Sequence, residues 1–346
     1  MTASPTLSEV LSSTPNARFA GVIDALSDQS PGPAGENLVS NEDSYPRVVA
    51  EIKRLCPGDG VYLGVGPDQN FTLIAAARPK LALVMDYRRR NLLLHLVHKA
   101  FFALSSSRVD YLSVITARKP EVEAQPDLNE LVNAFLNAPL DRAWLAEATE
   151  NVKRVLEPLK VVAGREWKDL ATIQAKLAGP GLNARFLALK MYPTLGQLIQ
   201  TQTPDRNGQP GHFLGSERAF KVVLDLQTTD RVIPFVGDFG QTARLIRLGD
   251  WLRSHALKVG LIYLSDVEFF LMRSGRYPAF VRGLEQIPWS DGALLVRAST
   301  REIAHPDRVE GDSSTTSVHR VANVLSQFRK GRLTTVDELF SIEPAS

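Results

Sequence analysis

A chain of 346 residues, 44% of them hydrophobic, has the length of one elaborated α/β domain or two ordinary ones and can bury a sizeable core. Forty Lys and Arg against 38 Asp and Glu leave a net charge of +2, which excludes overall charge as a means of recruiting nucleic acid or an anionic membrane. The lone Cys56 excludes an internal disulfide framework, and no apolar run approaches the roughly 18 residues that span a bilayer.

Residues 1–17 are rich in Ser, Thr and Pro and carry no basic-then-apolar secretion pattern, so a cytoplasmic location is expected. Residues 19–26 read as a short amphipathic helix, followed by a Gly/Pro loop. The polar cluster from Ser40 to Tyr45 then precedes a helix predicted over 46–55, with Pro46 in its first turn and Ser44 as its cap.

The stretch 59–91 is the most informative. Val61, Tyr62 and Leu63 run as a buried strand into Gly64-Val65-Gly66, a helix follows, and a second buried strand over 81–85 ends in Asp86. Open α/β sheets build nucleotide-type pockets in this way: glycines let the backbone turn sharply beside the ligand, and a carboxylate beyond the second strand accepts hydrogen bonds from ribose hydroxyls. Gly64 and Asp86 stand 22 positions apart, close to the roughly 20 that this geometry produces.

Residues 91–104 are apolar nearly all round and predict a buried helix. From 109 to 226 the pattern is mostly helical, including 127–136, 144–159 and 173–178, and the Gly/Pro/Asn stretch 203–217 suits a lid, one wall of a site, or disorder. The sheet resumes at 232–236 and ends in Gly237-Asp238-Phe239-Gly240; a helix over 242–255, a strand over 259–264, a helix from about 269 and a strand over 293–298 follow. A polar loop and a last helix over 318–328 complete the reading. Alternating strands and helices imply a parallel sheet covered on both faces, with residues of about 105–230 as a helical insertion into a domain spanning 46–346, and 1–45 as an extension and cover segment.

Ligands of such sheets lie beyond the carboxyl ends of the strands. Those ends carry Gly64, Gly66, Asp68 and Gln69; then Asp86 and Tyr87; then Asp238 and Phe239; then Ser265, Asp266 and Glu268. Each acidic residue has a plainer alternative: Asp86 as a surface partner of Arg88–Arg90, and Asp238, Asp266 and Glu268 as helix caps. Asp266 and Glu268 face the place of a second substrate, and Glu42 and Tyr45 come from the polar segment that precedes the sheet, where turn chemistry is the plainer alternative; these four are the candidates for acid–base work. His212 and His305 sit on Gly/Pro-rich loops as further bases or as plain exposed histidines. His95 and His98, three apart on an apolar helix without an HExxH partner or Cys cluster, read as packed helix residues rather than metal ligands, and no metal is expected. Arg88–Arg90 offer an anion clamp or a solvated helix start. No aromatic-interleaved basic stripe appears, so nucleic acid is not an expected partner.

Together, VYLGVGPDQNFT, LALVMDYRRRN, PFVGDFG and IYLSDVEFFL resemble the motif series of class I S-adenosylmethionine-dependent methyltransferases. More narrowly, the chain is similar to a bacterial group of that fold with an SNE-SY segment, here Ser40 to Tyr45, and a long helical insertion. The resemblance implies a Rossmann-like, parallel-rich sheet that binds S-adenosylmethionine or S-adenosylhomocysteine. Gly64 and Gly66 would then serve the methionine part, Asp86 the ribose, and Asp238 with Phe239 the adenine. The chain departs from the series where Tyr62 stands two before the first glycine, in place of an acidic residue, and where Asp68 replaces the third glycine. Gln69 stands where a dinucleotide GxGxxG requires glycine, which disfavours NAD, and neither a P-loop nor a (D/N)PPY motif is present. The expected function is methyl transfer to a small molecule, in specialised metabolism. The alternatives are an elimination or ring closure with the sulfonium retained, and a partner-binding scaffold or homo-oligomer that uses the insertion.

Overall fold

The computed structural model describes residues 16–28, 35–56, 58–123, 125–202, 208–301 and 303–345. Its centre is a six-stranded sheet: β1 (Val61–Gly64), β2 (Leu81–Asp86), β3 (Val232–Val236), β4 (Val259–Tyr263), β5 (Trp289–Ser299) and β6 (Thr315–Arg320). The order is β3-β2-β1-β4-β5-β6; the first five strands are parallel, and β6 pairs antiparallel with β5. This is the strand order of open, doubly wound α/β sheets, and it reverses between β1 and β4. β1 to β4 are buried along their whole length, which is why they read as continuous apolar runs rather than alternating ones.

At the N-terminal side, α1 (Asn16–Leu26) lies against β3 through buried Phe19, Ile23 and Leu26. β3 is an edge strand, which explains how it tolerates Pro234. The Asp28 amide donates to the Val236 carbonyl and the Ser27 hydroxyl accepts from the Val236 amide, so the segment after α1 satisfies that edge. The predicted helix over 46–55 is instead a 3-10 turn (Tyr45–Val48) running into α2 (Val49–Leu55). Ser44 makes no capping bond; its hydroxyl turns away to Ser314 and Thr316.

α3 (Gln69–Ala77) joins β1 to β2. Between β2 and β3 come α4 (Arg89–Ala103), α5 (Arg108–Thr116), α6 (Leu128–Asn137), α7 (Arg142–Leu156), α8 (Glu166–Ala178), α9 (Leu195–Gln200) and α10 (Glu217–Thr228). α4 is buried nearly all round because it packs on β2 and β3 from one side and on α7, α8 and α10 from the other. Then α11 (Thr242–Ser254) leads to β4, α12 (Val267–Arg273) and α13 (Tyr277–Leu284) lead to β5, and α14 (Val321–Arg329) and α15 (Val336–Phe340) follow β6. No described helix is long and apolar enough to cross a membrane.

Two further elements differ from the sequence reading. The helix expected from about 269 divides into α12 and α13, and residues 315–320, expected as loop and helix start, form β6. The apolar spacing of Val318, Val321, Val324 and Leu325 carries the helical pattern upstream into the strand. Thr315, Thr316, Ser317 and His319 meanwhile hide its buried character, because they are polar residues in the interior.

Candidate functional site

The five parallel strand ends open onto one cavity of about 800 Å³ at the switch point between β1 and β4. The loop after β1 contributes Val65, Gly66, Pro67 and Gln69; β2 ends in Asp86, Tyr87 and Arg88; β3 leads into Gly237, Asp238 and Phe239. Ser265, Asp266 and Val267 follow β4, and Ser299, Thr300 and Arg301 close β5. Asn37 and Asn41 arrive from the N-terminal segment, and Phe186 and Tyr192 from the helical insertion.

Asn70, a residue that sequence reasoning passed over, fixes the first loop. Its amide nitrogen donates to the carbonyls of Val65, Gly66 and Pro67, and its oxygen accepts from the Tyr62 hydroxyl. The Tyr62 ring thus fills the space where the resemblance expects an acid. Gly66 turns the chain at a φ of 83°, a conformation glycine adopts without strain. Behind it the Nε2–H of His95 donates to the Gly66 carbonyl, and burial holds this imidazole neutral, pushed down to about 4. His98 bonds the Tyr111 hydroxyl through Nδ1, so both helix histidines serve packing.

Gly64 makes room for Asn70 and Tyr62: a Cβ there would lie 2.0 Å from Asn70 Oδ1 and 2.6 Å from the Tyr62 ring. Gly64→Ala is accordingly expected to lose about 1–3 kcal/mol of stability through overpacking. A urea midpoint equal to the parent's would remove Asn70 from this role.

Asp68 lies behind the loop, buried, at the N-terminus of α3. Burial lifts its carboxyl to about 7, partly offset by the amides of Asp68 itself, Ser40 and Gln69. It makes no capping bond into the helix, and its Oδ1 has no hydrogen-bond partner among the described residues.

Asp86 is buried yet lines the cavity. Its Oδ1 accepts from the Arg88 amide at 2.9 Å and its Oδ2 from Asn91 Nδ2 at 2.6 Å. The Asn91 oxygen in turn accepts from the Asn37 amide at 2.9 Å. Burial raises the carboxyl, and these donors oppose the rise. Asn91 was legible as the one short polar residue at the start of an otherwise apolar helix.

Of the three successive arginines only Arg88 faces the cavity, its guanidinium 4.4 Å from the Tyr87 ring centre. Arg89 is committed to Glu166, and Arg90 to Glu36 and Asp169, tying the start of α4 to α8. Asp238 does not cap α11: Oδ1 accepts from the Gly240 amide and Oδ2 pairs with Arg276 at 2.6 Å. Phe239 packs edge-on against Phe280 and lines the cavity beside it.

At the end of β4, Ser265 is a non-glycine residue at a φ of 52°, strain of a kind that concentrates at functional positions. Its hydroxyl and that of Tyr263 both bond the carboxyl of Glu42, which is fully buried one layer behind the cavity wall. Burial, and then the nearby Asp266, push Glu42 up to about 8. Asp266 itself lines the cavity and accepts from Asn41 Nδ2 at 3.4 Å; burial raises it too. Two adjacent residues of the polar N-terminal cluster thus meet two adjacent residues of the β4 turn. This arrangement can store a proton beside the cavity and accept one from a ligand.

The remaining candidates lie elsewhere. Tyr45 is fully buried, and the 3-10 turn aims its ring toward His212 instead of the β4 end. Glu268 is buried against Arg297 and Tyr277 and is absent from the cavity wall. His212 is no exposed loop base: it is fully buried against Phe213, accepts from the Leu214 amide, and is pushed down to about 3 by burial. His305 accepts from the Asp307 amide. Of the stretch 203–217, residues 203–207 lie outside the described ones and the rest does not reach the cavity; the wall from the insertion is Phe186 and Tyr192, their rings 5.0 Å apart.

Fold and cavity define an open, doubly wound α/β protein with a crevice at its switch point. The chain belongs to the family described as domain of unknown function DUF7790, whose model matches residues 37–342. A search of curated proteins found no match.

Proposed function

We propose that the crevice binds S-adenosylmethionine or S-adenosylhomocysteine across the ends of β1, β2 and β3, and that the protein transfers a methyl group to a small molecule held at the ends of β4 and β5. One observation carries this reading: Asp86 is buried at the end of β2, oriented by Asn91 and the Arg88 amide, and presented to a cavity bordered by the positive-φ Gly66 turn. That is the placement a ribose diol requires. Gln69, set over Gly66 on the cavity wall, favours a nucleoside without pyrophosphate. Phe239 offers an apolar surface for a base, and Asp238, already shared with Arg276, offers one further acceptor.

Bound there, a sulfonium supplies an electrophilic methyl group. The chain's part is to align the acceptor and take its proton. Asp266 faces the cavity for this purpose, and Ser265 connects the cavity to Glu42. A second reading draws on the same group: at about 8, Glu42 is protonated at neutral pH and able to donate, as an elimination or ring closure would need. Product formation with uncleaved cofactor identifies that case.

Native mass spectrometry of gently purified protein, then calorimetry with both adenosyl compounds, tests the binding. Asp86→Ala should lose about 1.5–3 kcal/mol of affinity, the worth of a charged hydrogen bond. Failure of the parent to bind either compound would overturn the proposal, and unchanged affinity in the variant would remove Asp86 from it.

A further inference from the structure

The β4–β5 half of the cavity differs in character from the half described above. On α12, Phe269 and Arg273 stand one turn apart, with Phe270 between them, and all three line the cavity. The Arg301 guanidinium, from the end of β5, lies 5.8 Å from the Phe269 ring centre. Tyr192, set edge-on against Phe186, contributes aromatic surface from the insertion.

Arg276, Arg89 and Arg90 each have a carboxylate partner. The side chains of Arg273 and Arg301 have none among the described residues, although both border the cavity. The carboxyl group on this side, Asp266, is raised by burial and engaged by Asn41. The region therefore presents aromatic faces and two guanidiniums that have no carboxylate partner among the described residues.

We infer that this half of the cavity is an acceptor subsite for an aromatic carboxylic acid, its ring laid between Phe269 and Tyr192 and its carboxylate held by Arg273 and Arg301. Guanidinium pairs carboxylate in a planar, two-bonded fashion, which fixes orientation as well as adding affinity. The opposite end of such a molecule would then lie toward Asp266 and Ser265, where a hydroxyl could give up its proton. The inference rests on the adenosyl reading only in leaving this half free.

Cinnamate and its neutral amide, cinnamamide, probe the subsite by calorimetry, with and without saturating S-adenosylhomocysteine. The acid should bind roughly tenfold more tightly than the amide, the equivalent of about 1.4 kcal/mol. The double substitution Arg273→Gln/Arg301→Gln should erase that preference while leaving the thermal midpoint and the S-adenosylhomocysteine affinity unchanged. Equal affinities for acid and amide, a preference that survives the double substitution, or binding of neither probe would overturn the subsite. If S-adenosylhomocysteine itself fails to bind, the adenosyl reading falls, and the comparison made without it still decides this one.

Discussion

Arg297→Met is expected to destabilise the fold by about 3–5 kcal/mol, the usual consequence of leaving a buried charge without its partner. Arg297 is 1% exposed and Glu268 3%. The guanidinium bonds both carboxylate oxygens, at 2.7 and 3.2 Å, and also donates to the Leu339 carbonyl, which ties α12 and β5 to α15. Without Arg297, Glu268 retains only the Tyr277 hydroxyl at 3.2 Å. The double substitution Arg297→Met/Glu268→Leu should recover most of the loss, because two apolar side chains carry no desolvation cost. Urea denaturation of the single and double variants reads this directly. A single substitution without effect would mean that the pair is solvated in solution.

The second large effect lies in pH. The carboxyl of Glu42 gives up its proton near 4.5 when unfolded and only near 8 when folded. Between those values the unfolded state binds fewer protons, so stability falls as the pH rises. Nothing is lost below 4.5; above 8 the full cost, roughly 4–5 kcal/mol at 1.36 kcal/mol per pH unit, has accumulated. Glu42→Gln keeps an acceptor for one hydroxyl and a donor for the other while removing the charge. The gap in stability between Glu42→Gln and the parent should therefore widen in favour of the substitution from pH 5 to pH 8. Parallel curves for the two proteins over that range would show that Glu42 ionises freely in the fold.

The parallel part of the sheet was readable because a strand covered on both faces is apolar along its length, as Leu81–Asp86 and Val259–Tyr263 are. Carboxylates at strand ends were readable for the opposite reason: Asp86 and Asp266 break apolar runs at the point where a crevice opens. What escaped depends on partners distant in the chain. β6 is built from buried Thr, Ser and His whose polar groups are satisfied by one another, as Ser317 and His319 are, or by other segments, as Thr316 is by Ser44 and His319 by the Glu343 carbonyl, so its interior position leaves no hydrophobic signature. Asn70 acquires its importance only when the loop folds over it. Phe186 and Tyr192 reach the cavity from a turn in which Leu187 and Ala188 have φ of 49° and 56°, backbone values that side-chain pattern does not announce. Glu268 shows the converse, a strand-end acid whose ion pair lies turned away from the crevice.

The polar run from Ser40 to Ser44 has a bearing on assembly as well. Asp43 accepts from the amides and hydroxyls of Ser313 and Ser314, and Ser44 meets Ser314 from 270 positions away. Its neighbours Asn41 and Glu42 hold the turn after β4. Early and late stretches of the polypeptide are thus knotted together by hydroxyls and carboxylates directly behind the crevice. Contacts of such long sequence separation form late, after the entropy of closing the intervening loop has been met. The backing of the crevice is consequently a property of the finished molecule, complete only once the stretch 40–44 has met the residues at the start of β6.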